Sequence, residues 1–218
     1  MAVFLTLHGI GPAACGDADA RFRLSRAAWR MVAETAAAAA AHDVRLTFDD
    51  GNRSDIDIAL PVLQSLGRTA TFFISTDMIG QPGYMDAADI GALHRAGMRI
   101  GSHGAAHVGW TGLDTATLLE HLARARAILE DIVGAAVDRV SIPFGRYDRR
   151  VLGALKQAGI RQVFTSDGGP AAAGAWLVTR NTLTADITPP TLARLLAADR
   201  SMMAAARTRL RMWRRRLA

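Results

Sequence analysis

Asp49 and Asp50 stand side by side where the apolar run 44–48 gives way to Gly51. Two adjacent carboxylates just past a buried strand are costly unless they bind a cation or handle a proton. Taken alone, Asp-Asp-Gly is equally a surface turn, because aspartate and glycine are turn formers. Further on, His103 and His107 are spaced i and i+4. On a helix or tight loop that spacing puts both imidazoles on one face, where they can ligate one metal. By itself it is equally a pair of exposed histidines. An Asp/His/His set offers oxygen and nitrogen donors with open positions, which suits zinc or another divalent metal. A third segment, Ser141-Ile142-Pro143-Phe144-Gly145, ends an apolar run in a Pro-x-Gly turn. Such a turn presents backbone N–H groups to a developing oxyanion, or is a tight strand-to-helix connection and nothing more. Asp167, after the run 162–165, is either a supporting acid or a loop acid.

These residues need elements to position them. Runs 3–7, 44–48, 70–74, 98–100, 137–142, 162–165 and 176–179 read as strands, apolar and bounded by Gly, Asp or Ser. The stretches between them are helical in pattern. Ser25, Ser54, Asp86, Asp114, Asp148 and Thr188 stand at N-cap positions. Asp57 and Asp89 follow their caps by three residues, as in a capping box, and Pro189 suits a first helical turn. Gly67, Gly97 and Gly159 each stop a helix just before a strand. Three such junctions predict serial β–α units: one α/β domain of about seven parallel strands with helices outside. In that architecture ligands bind beyond the carboxyl ends of the strands. Asp49, Asp50, His103, His107 and Phe144 all fall there, so each signal strengthens the others.

The chain has 218 residues, 50% hydrophobic and 21% charged, which is globular composition. Its net charge is +6 and its pI about 10.8. Seven arginines and no acid lie in residues 200–218, which leaves residues 1–199 at −1. The expected division is therefore a domain over 1–199 and a basic tail over 200–218. The tail's Leu210, Met212, Trp213 and Leu217 among arginines suit contact with an anionic membrane surface; nucleic acid is not the expected partner. No apolar run approaches the roughly 20 residues of a membrane span. The amino terminus lacks the basic region of a secretory signal, so the expected location is cytoplasmic, with membrane association through the tail. A single cysteine, Cys15, excludes an internal disulfide and a cysteine-rich zinc site. Neither Cys15 nor His42 carries a signal. His94 and His121 fall within helices, and Trp110 suits either a sugar face or the core.

The ordered set TFDDG (47–51), SHGAAH (102–107) and IPFG (142–145) resembles the polysaccharide deacetylase family, the NodB-homology or carbohydrate esterase 4 domain. The resemblance runs over roughly residues 44–180. It implies a distorted (β/α) barrel and metal-dependent removal of N-acetyl groups from GlcNAc-containing glycans. It also implies roles: Asp49 as catalytic base, Asp50, His103 and His107 as metal ligands, and Phe144 as the source of an oxyanion-binding amide. Three positions depart from the family pattern. Gly104 replaces a serine or threonine. Ser141 replaces an arginine that usually neighbours the base, a charge that Arg180 is expected to supply, lowering the pKa of Asp49. The family's late Leu-x-His is missing, since no histidine follows His121. His8, after the first strand, is the expected replacement as general acid, as in a circularly permuted member. Other members of the superfamily act on ring amides or acetylated xylan, and a catalytically impaired glycan binder is a further alternative.

Overall fold

The computed structural model describes residues 1–12, 19–39, 43–172 and 174–198. The basic tail, Cys15 and His42 lie outside the described residues. Strands and helices alternate in the order β1 (Ala2–Leu7), α1 (Arg26–Ala38), β2 (Asp43–Phe48), α2 (Leu60–Ser65), β3 (Ala70–Ile74), α3 (Ala87–Arg95), β4 (Arg99–Ser102), α4 (Thr115–Val133), β5 (Arg139–Ser141), α5 (Arg149–Gln157), β6 (Gln162–Thr165), β7 (Leu177–Thr179), β8 (Asn181–Thr182) and α6 (Pro189–Ala198).

The sheet order is β7-β6-β5-β4-β3-β2-β1-β8, and every pairing is parallel. Strands β7 and β8 sit at opposite ends of that order, yet only Arg180 separates them in the chain. The sheet must therefore curl until its ends nearly meet. One segment, bent at Arg180, pairs with β6 through its first half and with β1 through its second. Seven expected strands thus become eight by a two-residue addition too short to show a period. Helices pack outside this nearly closed barrel. The seam is laced by the chain after β6: Ala171 bridges Ala2 in antiparallel fashion, and Thr179 Oγ1 donates to the Pro170 carbonyl at 2.9 Å.

Alternation along the strands sorts two cores. Val3, Leu5 and Leu7 face the helices, where Trp29 meets Phe48 edge-on and Phe48 stacks on Phe72 at 4.7 Å. Ala2, Phe4, Phe73, Phe164, Ala171 and Val178 form a smaller apolar cluster. Gly101 belongs to this inward set, and a Cβ there would lie 2.6 Å from the Phe73 ring.

Local signals set the helix ends. Ser25, Asp86, Asp114 and Asp148 accept hydrogen bonds from backbone N–H groups three residues on, and Asp86 with Asp89 completes a capping box. Gly67, Gly97 and Gly159 take positive φ of 61°, 82° and 68°. Ser54 is different. It is already helical, begins a π-helical turn over Asp55–Ala59, and its Oγ accepts from the Ile10 N–H at 3.0 Å. Its partner Asp57 instead pairs with Arg53, one turn back. The loop after β1 thus competed for the cap. No helix among the described residues is long and apolar enough to cross a membrane.

Candidate active site

Three loops at the carboxyl edge of the barrel bring the polar groups together. After β2, Asp49 stays in the barrel while Asp50 and Gly51 take φ of 78° and 84°. This left-handed turn directs two consecutive carboxylates to different partners; aspartate tolerates it better than most residues.

Asp49 is buried and faces the polar core. Arg180, with no solvent exposure, donates from Nη1 to Oδ1 and from Nη2 to Oδ2, both at 2.7 Å. Ser141 Oγ donates to Asp49 Oδ2 at 3.0 Å and accepts from Arg180 Nη2 at 2.6 Å. Thr47 Oγ1 and the Thr165 carbonyl take up further guanidinium protons. The guanidinium lies over the Phe73 and Phe164 rings, 5.3 and 6.0 Å from their centres. Burial, the largest single influence, would raise the Asp49 pKa, but the charge of Arg180, its hydrogen bonds and the neighbouring histidines together outweigh it. The carboxyl is held well below the usual range.

Asp50 turns the other way. Its Oδ1 lies 3.4 Å from His103 Nε2 and 3.5 Å from His107 Nε2. The three donor atoms lie within 4.8 Å of one another. That Oδ1 is buried and has no hydrogen-bond partner among the described residues. Burial pushes the Asp50 pKa up to about 6, against the pull of His8 and with the push of Asp49. Burial lowers His103 to about 4 and lowers His107 as well. His103 Nδ1 meets the Ser141 carbonyl at 2.9 Å. A carbonyl only accepts, so Nδ1 carries the proton and Nε2 presents its lone pair to Asp50 and His107. A buried unpartnered carboxylate oxygen facing two imidazole nitrogens fits a divalent cation.

His8 enters from β1. Its Nε2 is 3.8 Å from Asp49 Oδ2, and its ring packs on Phe22 at 5.3 Å. Phe144 has φ of 57°, a rare conformation for a bulky residue, and its ring is 55% exposed against His107 at 4.5 Å. Asp50 and Phe144 are the two non-glycine residues with positive φ among those described, and both belong to this site.

Other sequence candidates resolve differently. Asp167 is buried and accepts from the Tyr147 and Thr165 hydroxyls at 2.6 and 2.8 Å; it is not one of the three donors. Trp110 is fully buried and packs against the ligand loop rather than facing solvent. It also explains Gly104: φ there is 85°, and a Cβ would lie 3.2 Å from the indole nitrogen. Ser141 went unrecognised as a site residue. Its hydroxyl touches both Asp49 and Arg180 while its carbonyl orients His103, a double role that no spacing in the sequence reveals.

The class these features define is a parallel (β/α) barrel with an Asp/His/His group that could hold a metal ion, beside a guanidinium-held carboxylate, at the carboxyl ends of its strands. The family model for polysaccharide deacetylase matches residues 37–163, and the chain belongs to that family. The match includes Asp49, Asp50, His103, His107 and Phe144; His8 and Arg180 lie outside it. The chain is 27% identical over 129 residues to YxkH of Bacillus subtilis (strain 168), which bears the polysaccharide deacetylase name. That match covers 59% of this chain and 46% of YxkH, so the chain spans less than half the relative's length. In fold it is similar to the Streptococcus pyogenes deacetylase PplD, solved with acetate (TM-score 0.81, 17% identity, 89% of this chain and 97% of that one). It is likewise similar to IcaB from Ammonifex degensii (TM-score 0.74, 20% identity, 92% and 97%).

Proposed function

We propose that the chain is a metal-dependent deacetylase that hydrolyses N-acetyl groups on GlcNAc-containing polysaccharide or glycan precursor. The observation that carries this reading is the Asp50/His103/His107 cluster lying beside a carboxylate, Asp49, kept ionised by Arg180. Zinc best fits this donor set. Bound to these three side chains, it would supply Lewis-acid polarisation of water and carbonyl.

The chain's own groups divide the remaining work. Asp49 accepts a proton from the water whose oxygen attacks the acetyl carbon. The backbone N–H of Phe144 donates to the oxyanion as charge develops. His8 delivers a proton to the departing nitrogen as the C–N bond breaks, leaving acetate and a free amine. The strongly acidic Asp49 does not keep its proton, and His8, 3.8 Å away, is within short reach to take it. In this reading His8 replaces the histidine that the family carries near its carboxyl terminus, as a circular permutation would arrange. The seven arginines of segment 200–218 add contact with anionic membrane, which deletion of that segment would remove without loss of acetate release.

Acetate release from chito-oligosaccharides, acetylated xylan and ring amides, with and without chelator, tests the function. Chelator-sensitive release confined to chito-oligosaccharides is expected. Release from xylan or ring amides alone would move the chain to another substrate class. No release from any of them by the zinc-loaded protein would make it a binder.

A further inference from the structure

The opposite end of the barrel holds a polar cavity of about 300 Å³. Its lining carries four guanidinium groups, Arg45, Arg68, Arg99 and Arg139, against one carboxylate, Asp43. The register explains the gathering. Arg45, Arg99 and Arg139 each lie two residues before a residue already placed on the inward set: Thr47 and Ser141, which touch Arg180, and Gly101. Gly101 leaves room for the Arg139 stem, whose Cγ would sit 3.1 Å from a Cβ there. Arg68 arrives on the loop before β3.

Their partners do not exhaust them. Arg45 forms a two-pronged pair with Asp43 at 2.8–2.9 Å. Arg68 donates to the Val44 carbonyl. Arg139 shares Asp138 with Arg161. The Arg99 guanidinium has no hydrogen bond or ion pair among the described residues. Phe4 and Phe164, edge-to-face at 5.6 Å, line the cavity, and Phe164 also lies under Arg180. These rings separate the cavity from the Asp49 site.

Asp43 offsets one of the four charges in the lining and Asp138 partly offsets another, and the positive excess that remains attracts an anion. The planar fork of arginine matches phosphate oxygens. A volume at the lower end of ligand pockets admits a phosphate or diphosphate group rather than a polymer. We propose that this mouth is a binding site for a phosphate-class oxyanion, either free or carried as a lipid headgroup. It is independent of the deacetylase reading: Phe164 borders both, but none of the four arginines contacts Asp49 or its partners.

The test uses the full chain and the double variant Arg99→Gln/Arg139→Gln. Inorganic pyrophosphate is titrated calorimetrically into each, and each is floated with phosphatidylcholine vesicles carrying phosphatidic acid. Dependence on the two arginines separates this site from the basic tail. Binding weakened by about tenfold or more in the variant, with acetate release unchanged, is the expected result. Weakening with pyrophosphate identifies a free oxyanion; weakening confined to vesicles identifies a headgroup. If the double variant melts early, Arg99→Gln alone replaces it, since the Arg99 guanidinium supports no hydrogen bond or ion pair among the described residues. Equal binding by wild type and variant in both arms, or no binding in either, overturns the proposal.

Discussion

Arg180 grips the carboxylate of Asp49 through two parallel hydrogen bonds of 2.7 Å, joining residues 131 apart in the chain, with Arg180 fully buried and Asp49 2% exposed. A charge pair so buried contributes little net stability when intact, but losing one partner is expensive, about 3–5 kcal/mol. Arg180→Met is expected to destabilise the protein by about that amount in urea unfolding. Its second effect is on pH. Without the guanidinium, burial prevails and the Asp49 pKa rises, so the acidic limb of the rate profile moves to higher pH. Arg180→Lys restores part of the charge but not the two-pronged geometry. A Met variant whose profile superimposes on wild type would remove Arg180 from the tuning of Asp49.

Asp50 carries the opposite shift, with a distinct pH signature. In the metal-free protein its carboxyl sits at about 6, against about 3.9 in the unfolded chain. Between these values the folded chain holds a proton that the unfolded chain has lost, so stability falls as pH rises from about 4 to about 6. Metal-free Asp50→Asn is therefore expected to exceed metal-free wild type by about 3 kcal/mol at neutral pH, with the gap closing below about pH 4. The same proton competes with metal, whereas His103, at about 4, is already neutral. Zinc affinity should fall below about pH 6. A fall beginning only near pH 4 would assign the competing proton to His103.

Gly101 tests the barrel interior. A methyl group there meets the buried Phe73 ring at 2.6 Å and the Arg139 stem at 3.1 Å. Gly101→Ala is expected to cost about 1–3 kcal/mol through overpacking. Thermal unfolding at wild-type stability would show that the interior yields more readily than its packing implies.

Phe144 separates a backbone role from a side-chain role. Its left-handed conformation suits glycine better than phenylalanine. Phe144→Gly is expected to keep stability within about 1 kcal/mol of wild type and turnover within about tenfold, because the proposed oxyanion donor is the amide. A loss of turnover above a hundredfold at unchanged metal content would place the essential contact on the ring.

Much of this was legible in the sequence, for physical reasons. Strand ends, helix caps and terminal glycines are local signals, and they located the loops that carry Asp49, Asp50, His103 and His107. The Asp86–Asp89 box and the three helix-ending glycines formed as local rules require. Where the sequence misled, a distant segment intervened. Ser54 was diverted from capping by the Ile10 amide. Strand β8 is two residues long, and its pairing with β1 depends on closure of the whole sheet. The double duty of Ser141 exists only because β5 neighbours β4, whose end carries His103, while its inward hydroxyl reaches Asp49, which follows β2, through the barrel interior. The arginine-lined mouth was hidden because Arg45, Arg99 and Arg139 lie at or near the starts of three separate strands and Arg68 on a loop, and only the barrel's register brings them together.

The most direct measurement is acetate release from a defined GlcNAc oligomer by zinc-loaded wild type and Asp49→Asn, with metal content measured on the same samples. Asp49→Asn should retain its zinc, because Asp50, His103 and His107 are untouched, and should lose at least about a hundredfold in turnover, the usual contribution of a general base. An Asp49→Asn protein that holds zinc and releases acetate at the wild-type rate would contradict the assignment of Asp49 as the base and the mechanism built on it.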